Sequence, residues 1–456
     1  MNKKISGSEI IQLLSQQQTE KVKLAITDID GVMRGKLINF DKFKSIVEKG
    51  FGYCNVVFGW DAADAAYDNV QFTGWHTGYP DSTAVIDINT FRKIPWENDI
   101  PLFLADFRDE KGNDLKICPR SLLKNIAQQA ARAGYMAYCA QEFEWFNLVN
   151  NVDELYAGKF RDMKPMTNGM FGYSVLRASQ KKEYLNGLFD LLKKFGVPIE
   201  GLHTETGPGA YEAAIVYSEI VEAADRAVLF KIGTKQIAYQ HGLIATFMAK
   251  FSENLPGCSG HVHQSLWSAD KKQNLFYDKK SKTGMSALME SYIAGQLRCL
   301  PEILPMYAPT VNSYKRLVEG AWAPTTVTWG VDNRTTALRA VPGSPTATRL
   351  ETRVVGSDSN PYLAMAACLA SGLYGIKNKL KLITPATIGN GYADVRNGSL
   401  PKNLWVATQT MKQSAVAKEL FGEAFINHFT ATREWEWRQF SKVVTDWELK
   451  RYLEII

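Results

Sequence analysis

The chain has 456 residues, of which 45% are hydrophobic and 22% are charged, as in folded globular proteins rather than disordered ones. Lys and Arg outnumber Asp and Glu only by 53 to 47, an excess too thin at this length to favour nucleic-acid or membrane partners. No apolar run approaches the roughly eighteen residues of a membrane span, and a single core rarely serves so long a chain, so two domains are expected.

The N-terminus and the cysteines favour a cytoplasmic protein. Residues 1–18 contain lysines but no continuous apolar stretch after them, which predicts a short amphipathic helix rather than a signal peptide. The cysteines are far apart and form no CxxC pair, which fits a reducing compartment. They are Cys54, Cys118, Cys139, Cys258, Cys299 and Cys368.

The first hundred or so residues consist of short β-rich runs separated by turns, at 22–31, 35–40 and 82–88. The stretch 109–120 is charged, contains glycine and is poor in apolar residues. Such a stretch is typical of a linker, so domains are predicted at 1–112 and 113–456.

Helical and strand-like patterns alternate after this boundary. Apolar spacing predicts helices at 121–132, 183–195 and 218–241, and strands at 135–147, 197–206 and 243–251. Asn360-Pro361 is expected to begin another helix, and the tail beyond Pro401 is expected to be largely helical. This alternation predicts an α/β or α+β domain.

Ligand-type side chains recur on four strand-like segments, two residues apart, a spacing that places them on one face. An isolated pair of this kind is usually a solvated face or a satisfied buried group. Here the pairs interrupt apolar strands, and converging carboxylates repel each other unless cations lie among them. Carboxylates with one or two imidazoles suit Mg²⁺ or Mn²⁺, although a His-x-His zinc hydrolase is an alternative. The residues are Glu142, Glu144, His203, Glu205, Glu212, His261, His263, Arg349, Glu351 and Arg353.

Five arginines between residues 316 and 353 also indicate a binding site. Guanidinium groups match carboxylate and phosphate oxygens bidentately. The window holds only Glu319, Asp332 and Glu351 as acidic partners, so a bound triphosphate and a substrate carboxylate would supply the rest. Metal ions beside arginines are the equipment of phosphoryl transfer. The arginines are Arg316, Arg334, Arg339, Arg349 and Arg353.

Several motifs resemble, in order, the active-site motifs of glutamine synthetases. They are HTETGPGAYE, SGHVHQSL, NSYKRLVEGAWAP, NRTTALR and RLETRVVGSDSNPYLAMAA. The resemblance spans nearly the whole chain. It implies an α+β fold with a small N-terminal β-grasp domain and a larger catalytic domain with a curved, mainly antiparallel sheet. It also implies double rings, typically dodecamers, with active sites between neighbouring subunits.

The resemblance implies two metal sites with two or three Mg²⁺ or Mn²⁺ ions in all. Glu144, Glu205 and Glu212 match one site. Glu142, His261 and Glu351 match the other. The implied reaction is ATP-dependent: the γ-carboxylate of glutamate attacks ATP, giving γ-glutamyl phosphate and ADP, and an amine then displaces phosphate.

Substrate-binding roles follow in the same way from the resemblance. Arg316 and Arg353 match arginines that bind glutamate, and Gly257 matches a backbone contact to it. The positions that match the ATP phosphates and the transferred phosphoryl group are Arg334, Arg339 and Arg349. Those that match the nucleotide pocket are Glu200, Tyr217, His263 and Ser265.

One departure from the family pattern concerns the second substrate, the amine. Ammonia-using enzymes have Gly-Tyr-Glu-Ala-Pro where this chain has residues 320–324, so that Trp322 replaces the glutamate that closes the ammonium pocket. An indole cannot accept a proton, but it offers apolar area and a π-face to an organic ammonium group. This favours the γ-glutamylamide and γ-glutamylpolyamine synthetase branches. The alternative is that Trp322 only packs and that another carboxylate serves ammonia.

The opposite wall of the amine pocket is expected from a neighbouring subunit. Asp61, or less favourably Asp64, is the candidate for amine binding and deprotonation, in a loop rich in aromatic residues. The alternative is that this loop only forms an aromatic patch buried at the subunit interface. Three functions stay open: a glutamate–organic amine ligase, a glutamate–ammonia ligase, and a non-catalytic structural member of the superfamily.

Overall fold

The computed structural model describes residues 5–149, 151–158, 160 and 163–456. A five-stranded sheet is formed in the N-terminal part, with strand order β2-β1-β5-β4-β3. Its strands are β1 (Lys21–Thr27), β2 (Met33–Asn39), β3 (Phe51–Cys54), β4 (Asp81–Ile94) and β5 (Ile100–Phe107).

The central pair of this sheet, β1 and β5, is parallel, and its other pairs are antiparallel. Two helices, α1 (Gly7–Gln16) and α2 (Phe40–Ile46), bury apolar side chains against it. Phe43 stacks on Phe103 at 5.0 Å between ring centroids. This arrangement agrees with the predicted β-grasp sheet.

A nine-stranded sheet carries the residues of interest. Seven strands follow the order β12-β13-β14-β11-β6-β8-β7, and β9 and β10 also pair with β6. The sheet is curved and every pair is antiparallel except β12 with β13. The strands are β6 (Tyr135–Leu148), β7 (Ile199–Thr204), β8 (Ala210–Ile215), β9 (Ser218–Glu219), β10 (Ile244–Thr246), β11 (Val262–Ser268), β12 (Trp329–Val331), β13 (Leu338–Val341) and β14 (Arg349–Thr352).

Helices surround the large sheet and continue to the C-terminus. They are α3 (Pro119–Arg132), α4 (Val152–Ala157), α5 (Val175–Gln180), α6 (Lys182–Lys194), α7 (Ile220–Gln240), α8 (Ala287–Ile303), α9 (Ser313–Arg316), α10 (Pro361–Lys377), α11 (Leu404–Gln413), α12 (Ala415–Phe421), α13 (Glu423–Phe440) and α14 (Asp446–Tyr452). None of the helices within the described part of the chain is both long and apolar enough to cross a bilayer.

The two faces of β6 have opposite characters. Phe143 and Trp145 are fully buried, and both pack against Phe230 of α7, at 5.6 and 5.7 Å between ring centroids. Glu142 and Glu144 alternate with them and therefore point to the other face. Burial of the aromatic face fixes which way the carboxylates point, because a register slip of one residue would exchange the faces.

Arg120 joins the small sheet to helix α7, which packs against the large sheet. Its guanidinium donates to Asp106 of β5 at 2.8 Å, to Asp87 of β4 at 3.0 Å and to Asp225 of α7 at 2.8 Å. Removing one member of such a buried ion cluster is costly, because the remaining charge loses its partners. The network therefore fixes the N-terminal sheet against the helix that supports β6.

Most predicted elements are confirmed, with two corrections. Residues 218 and 219 begin as strand β9 rather than helix, because they pair with Tyr138 and Cys139. The strand predicted at 243–251 is only three residues long, since Cys258 donates its N–H to Ala249 and draws the chain into a loop. The domain boundary between 112 and 113 stays a prediction.

Candidate active site

Strand register brings the acidic and imidazole side chains together on one face of the large sheet. Glu212 of β8 lies opposite Glu144 of β6 on one side and His203 of β7 on the other. Glu351 of β14 lies opposite His263 of β11. Because β14, β11, β6, β8 and β7 are consecutive, residues far apart in sequence become neighbours.

The turn between β7 and β8 returns Glu212 toward Glu205. Its second glycine, Gly209, has φ of +73°, in the region that glycine adopts without strain. A Cβ atom at this position would lie 2.6 Å from the carbonyl oxygen of Asn147. The glycine therefore permits a close approach to the end of β6 that other residues would prevent.

A cavity of about 420 Å³ opens above this face. It is lined by carboxylates, imidazoles and guanidiniums, with Trp322 at one wall. The structure thus places most of the sequence-predicted site residues around one space. Those that line it are Glu142, Glu144, Glu205, Glu212, Gly257, His261, His263, Trp322, Arg334, Arg339, Arg349, Glu351 and Arg353.

One group of potential metal ligands is centred on Glu351. Ligand atoms of Glu142, His263 and Glu351 lie within 4.8 Å of one another. His261 is adjacent, with its Nδ1 3.3 Å from Glu351 Oε1 and 3.8 Å from Glu142 Oε2. Burial would raise the pKa of Glu351, but His261, His263 and Arg353 lower it to about 2. The carboxylate is therefore held in its charged form.

Arg349 distinguishes the two imidazoles. Its Nε donates to Nδ1 of His263 at 3.1 Å, so Nδ1 is the acceptor and the neutral ring carries its proton on Nε2, which faces Glu142 at 3.1 Å. Nδ1 of His261 faces Glu142 and Glu351 without a competing donor. His261 therefore keeps Nδ1 available beside both carboxylates, and its assignment as the metal ligand stays a prediction.

The second group contains His203, Glu205 and Glu212, whose ligand atoms also lie within 4.8 Å of one another. Glu144 is nearby, and its Oε2 accepts the N–H of Ser259 at 2.6 Å. Burial, followed by the charge of Glu212, raises the pKa of Glu144 to about 8. A carboxyl group in this position would hold a proton at neutral pH unless a cation compensated its charge.

The donor set fits divalent cations. Carboxylate oxygens with a minority of imidazole nitrogens are the ligands that Mg²⁺ and Mn²⁺ accept. Among the described residues that line the cavity, the one cysteine is Cys258, and burial raises the pKa of its thiol, which disfavours the thiolate that zinc sites use. A cation between Glu144 and Glu212 would also relieve the repulsion that raises the pKa of Glu144.

Two arginines are tied directly to Glu351. Nη1 of Arg339 donates to Glu351 Oε2 at 2.9 Å, and Nη1 of Arg353 donates to Oε1. Arg339 also donates through Nε to Asp332 at 3.0 Å, while Arg334 is exposed at the rim of the cavity. These guanidiniums surround a space large enough for phosphate oxygens, which they would bind bidentately.

Arg316 lies behind the cavity wall rather than on it. Its guanidinium donates to the carbonyl oxygens of Val354 at 2.9 Å and Arg353 at 3.0 Å, and to Ser259 Oγ at 3.1 Å. The side chain is buried and packs on Gly257. In this conformation Arg316 supports the segment that carries Arg353.

Gly257 is expected to tolerate no larger residue. A Cβ atom there would lie 2.6 Å from the carbonyl oxygen of Ala249 and 2.7 Å from Cγ of Arg316. We expect Gly257→Ala to lower the free energy of unfolding by about 1–3 kcal/mol, the usual cost of overpacking. Chemical denaturation measures this. Gly201→Ala is the matched control, because nothing lies within 4 Å of its added Cβ; equal losses in both variants would contradict the packing argument.

Three residues predicted for the nucleotide pocket lie beyond the cavity. Tyr217 contacts Tyr138 at 6.1 Å between ring centroids, and Tyr138 contacts Trp267 at 5.7 Å. Nε1 of Trp267 donates to Ser265 Oγ at 2.9 Å. Tyr217 and Ser265 are thus connected through these two aromatic rings, and Ser265 lies two residues after His263 on β11. Glu200 is an exposed residue of β7.

Trp322 stands at the cavity in an unusual backbone conformation. Its φ is +58°, in the left-handed region that bulky residues rarely adopt, and its side chain is 62% exposed. Such strain is found where surrounding structure or function fixes a side chain. Much of the indole is therefore open to contact with another molecule.

Asp61 does not reach this cavity within one chain. It lines a separate cavity of about 460 Å³. Its Oδ1 accepts the N–H groups of Ala63 and Ala65 at 2.9 and 3.0 Å, and its Oδ2 accepts Nε1 of Trp435 at 2.9 Å. Asp64 pairs with Arg34 at 2.6 Å. A role for either carboxylate at the cavity requires a second copy of the chain.

Several residues at the site have no role assigned from the sequence. His203 was recognised as a ligand-type residue but assigned to neither site, although its spacing from Glu205 placed both on one face. Tyr173 also lines the cavity, and it lies in a segment that has no periodic pattern. Tyr138 and Trp267 were missed because aromatic residues on a strand are ordinarily core.

The lining of the cavity indicates the class of protein. Carboxylates and imidazoles suited to divalent cations lie beside guanidiniums suited to phosphate oxygens. This combination is the equipment of metal-dependent phosphoryl transfer, in which positioning and charge neutralisation supply most of the catalysis.

Comparison with known proteins identifies the family. Residues 116–452 match the catalytic domain of glutamine synthetases. The chain is 52% identical over 450 residues to type-1 glutamine synthetase 2 of Dictyostelium discoideum, covering 98% of this chain and 86% of the relative. It is 36% identical over 452 residues to glutamate–isopropylamine ligase from a Pseudomonas species, covering 98% of each.

A solved GmaS/ADP complex has the same fold, with a TM-score of 0.85, 26% identity and coverage of 97% of this chain and 99% of that one. The chain therefore belongs to the glutamine synthetase family and is a ligase of that family. The family uses ATP and divalent metal ions.

Proposed function

We propose that the protein joins the γ-carboxylate of L-glutamate to an organic amine, with ATP as co-substrate and Mg²⁺ or Mn²⁺ at the two ligand groups. The observation that carries this proposal is Trp322. It lines the cavity at the position where ammonia-using enzymes have a glutamate, and most of its indole is exposed. An apolar π-face attracts an alkylammonium group but cannot take its proton.

In the proposed reaction, a γ-carboxylate oxygen forms a bond to the γ-phosphorus of ATP, and the bond to the β,γ-bridging oxygen breaks to release ADP. The amine nitrogen then attacks the acyl carbon of γ-glutamyl phosphate, phosphate leaves, and the nitrogen loses a proton. Divalent ions at the carboxylate and imidazole groups would neutralise phosphate charge. Arg334, Arg339 and Arg349 are assigned to the phosphate oxygens, and Arg353 to the glutamate carboxylate.

Residues outside the cavity have supporting parts in this proposal. Arg316 acts through the segment that carries Arg353, and Gly257 leaves its backbone free to contact glutamate. Tyr217, Ser265 and Glu200 are assigned to the nucleoside, next to His263. Asp61 is assigned to the amine across a subunit boundary, and its hydrogen bond from Trp435 would have to exchange for one from the amine.

The proposed assembly is a homo-oligomer in double hexameric rings, with sites completed by neighbouring N-terminal domains. Asp61 supports this arrangement, because it lines a separate cavity and not the active-site cavity of its own chain. A particle of twelve 51.1 kDa subunits is expected by light scattering; a monomer would exclude it. The proposed location is the cytoplasm, consistent with six cysteines that form no disulfide, and cell fractionation would test it.

A second candidate, glutamate–ammonia ligase, is favoured by the 52% identity to a type-1 glutamine synthetase. Phosphate release measured with ATP, Mn²⁺ or Mg²⁺, glutamate and a panel of amines separates the two. We expect turnover with alkyl-, aromatic or polyamines and little with ammonium. Turnover with ammonium alone supports the second candidate. Silence with every amine would support a structural role and sink both ligase proposals.

A further inference from the structure

The ring of His203 is held flat against Tyr173. The two rings lie 4.2 Å apart between centroids, with an angle of 24° between their planes. Both side chains line the active-site cavity, and the tyrosine is 67% exposed. A stacked ring removes one face of the imidazole from water and limits its rotation, so Tyr173 restricts where the His203 nitrogens can point.

The backbone at Tyr173 is fixed for this contact. Its φ is +55°, a strained conformation for a bulky residue, and it persists only where neighbouring structure enforces it. The N–H of Tyr173 donates to the carbonyl oxygen of Thr204 at 2.7 Å, and the N–H of Ser174 donates to Thr204 Oγ1 at 2.7 Å. Thr204 Oγ1 donates in turn to the carbonyl oxygen of Phe171 at 2.9 Å.

These three hydrogen bonds fasten residues 171–174 to the end of β7. Thr204 lies between His203 and Glu205, so the loop is anchored at the residue that separates two potential ligands. Gly172 adds a close contact, because a Cβ there would lie 3.2 Å from Thr206 Oγ1. The tyrosine ring and the ligand-bearing strand therefore form one unit.

The hydrogen bond of His203 orients its free nitrogen. Nδ1 lies 3.1 Å from the carbonyl oxygen of Thr204, which can only accept, so Nδ1 carries the ring proton. Nε2 then presents its lone pair, and it lies 3.7 Å from Glu212 Oε1. A histidine whose Nδ1–H is bound to a backbone carbonyl and whose Nε2 faces carboxylates has the orientation of a metal ligand.

We propose that His203 is a ligand of the divalent ion held with Glu205 and Glu212, and that Tyr173 is the positioning residue that aims it. This rests on the proposed metal-dependent function. The ligand atoms of the three residues already lie within 4.8 Å of one another. One ion would thus be bound by the imidazole of His203 and the carboxylates of Glu205 and Glu212, with Glu144, which lies opposite Glu212 on the neighbouring strand, as a third carboxylate beside it. The two metal groups would each contain one coordinating histidine.

The test uses the full-length protein with Mn²⁺ alone, without ATP, glutamate or amine. Equilibrium binding gives the dissociation constants, and pulsed electron paramagnetic resonance detects nitrogen bonded to Mn²⁺. In His203→Gln we expect one class of Mn²⁺–nitrogen coupling to vanish and one class of site to weaken by roughly 10- to 100-fold. His261→Gln should remove the other class. Each variant keeps one intact site, which reports that it is folded.

Tyrosine variants test the positioning role. Tyr173→Ala is expected to weaken the same Mn²⁺ site by about tenfold, the lower end of what a supporting residue contributes. Tyr173→Phe keeps the stacked ring and should bind Mn²⁺ like the unaltered protein. Tyr156→Ala is the control, since Tyr156 contacts Phe160 edge to face and does not line the cavity.

Three results would overturn these assignments separately. Nitrogen couplings and affinity that survive in His203→Gln would remove His203 from the ligand set. Equal affinity in Tyr173→Ala and Tyr173→Phe would remove the positioning role of Tyr173. An unaltered protein that binds no Mn²⁺ would overturn the proposed metal-dependent function itself, whereas Mn²⁺ binding without nitrogen from His203 would leave that function standing.

Discussion

Glu351→Gln is expected to reduce ligase turnover by about 10²–10³-fold, the loss seen when one charge-stabilising group is removed from an active site. Glu351 is fully buried, and it accepts hydrogen bonds from Arg339 and Arg353 while facing His261 at 3.3 Å. Glutamine has the same shape, but its amide nitrogen would face one of these guanidiniums and its charge could not hold a cation. Steady-state phosphate release measures the effect.

The control is Glu183→Gln, because Glu183 is an exposed helix residue whose side chain is 71% accessible. It should leave turnover unchanged. Circular dichroism of both variants shows whether they are folded. A folded Glu351→Gln protein with full turnover would contradict the assignment of Glu351 to the reacting centre.

Trp322→Glu is expected to shift the amine preference toward ammonium, by about tenfold or more in the ratio of kcat/KM values. A carboxylate would restore the group that binds ammonium in ammonia-using relatives, and it would remove the apolar face proposed for the alkyl part of the amine. Losing a hydrophobic contact of this kind changes selectivity by roughly 10- to 200-fold. Competition between ammonium and an alkylamine, with both products quantified, measures the ratio.

Trp447→Glu is a matched control, since this tryptophan is 60% exposed on α14 and does not line the cavity. It should keep the original selectivity. If Trp322→Glu also kept it, Trp322 would be excluded from the amine pocket. The ligase assignment itself would be unaffected, because it depends on the metal and phosphate groups.

The large sheet could be predicted because its strands carry two independent signals. Phe143 and Trp145 alternate with Glu142 and Glu144, so one pattern gives both the strand and its polar face. Burial of the aromatic residues against α7 then forces the carboxylates toward the cavity. The same alternation predicts that Arg349, Glu351 and Arg353 share one face. Arg339 lies opposite Glu351 through the pairing of β13 with β14, which the sequence pattern does not predict.

Other parts of the site depend on contacts that a local pattern does not encode. Tyr173 lies in a segment without a periodic pattern. Hydrogen bonds from the N–H groups of Tyr173 and Ser174 to Thr204 hold its ring against the neighbouring His203. Residues 218 and 219 have a helical pattern, but strand pairing with β6 overrides it. The place of Asp61 depends on assembly, which no single-chain pattern determines.

The residues assigned to the nucleoside also depend on contacts that the sequence pattern does not predict. Tyr217 and Ser265 are 48 residues apart, and their connection runs through Tyr138 and Trp267 on two neighbouring strands. Aromatic residues on strands ordinarily indicate core packing. Only the register of β6 with β11, which sets Tyr138 opposite Ser265, shows that they form one surface.

The central claim is that two groups of carboxylates and imidazoles hold divalent ions beside arginines that bind ATP. Crystals grown with Mn²⁺ and a non-hydrolysable ATP analogue test it directly through anomalous scattering from manganese. The account predicts one peak among Glu205, Glu212 and Glu144, a second between Glu142, His261 and Glu351, and analogue phosphates in contact with Arg339. Nucleotide bound elsewhere, with no manganese in either group, would contradict it.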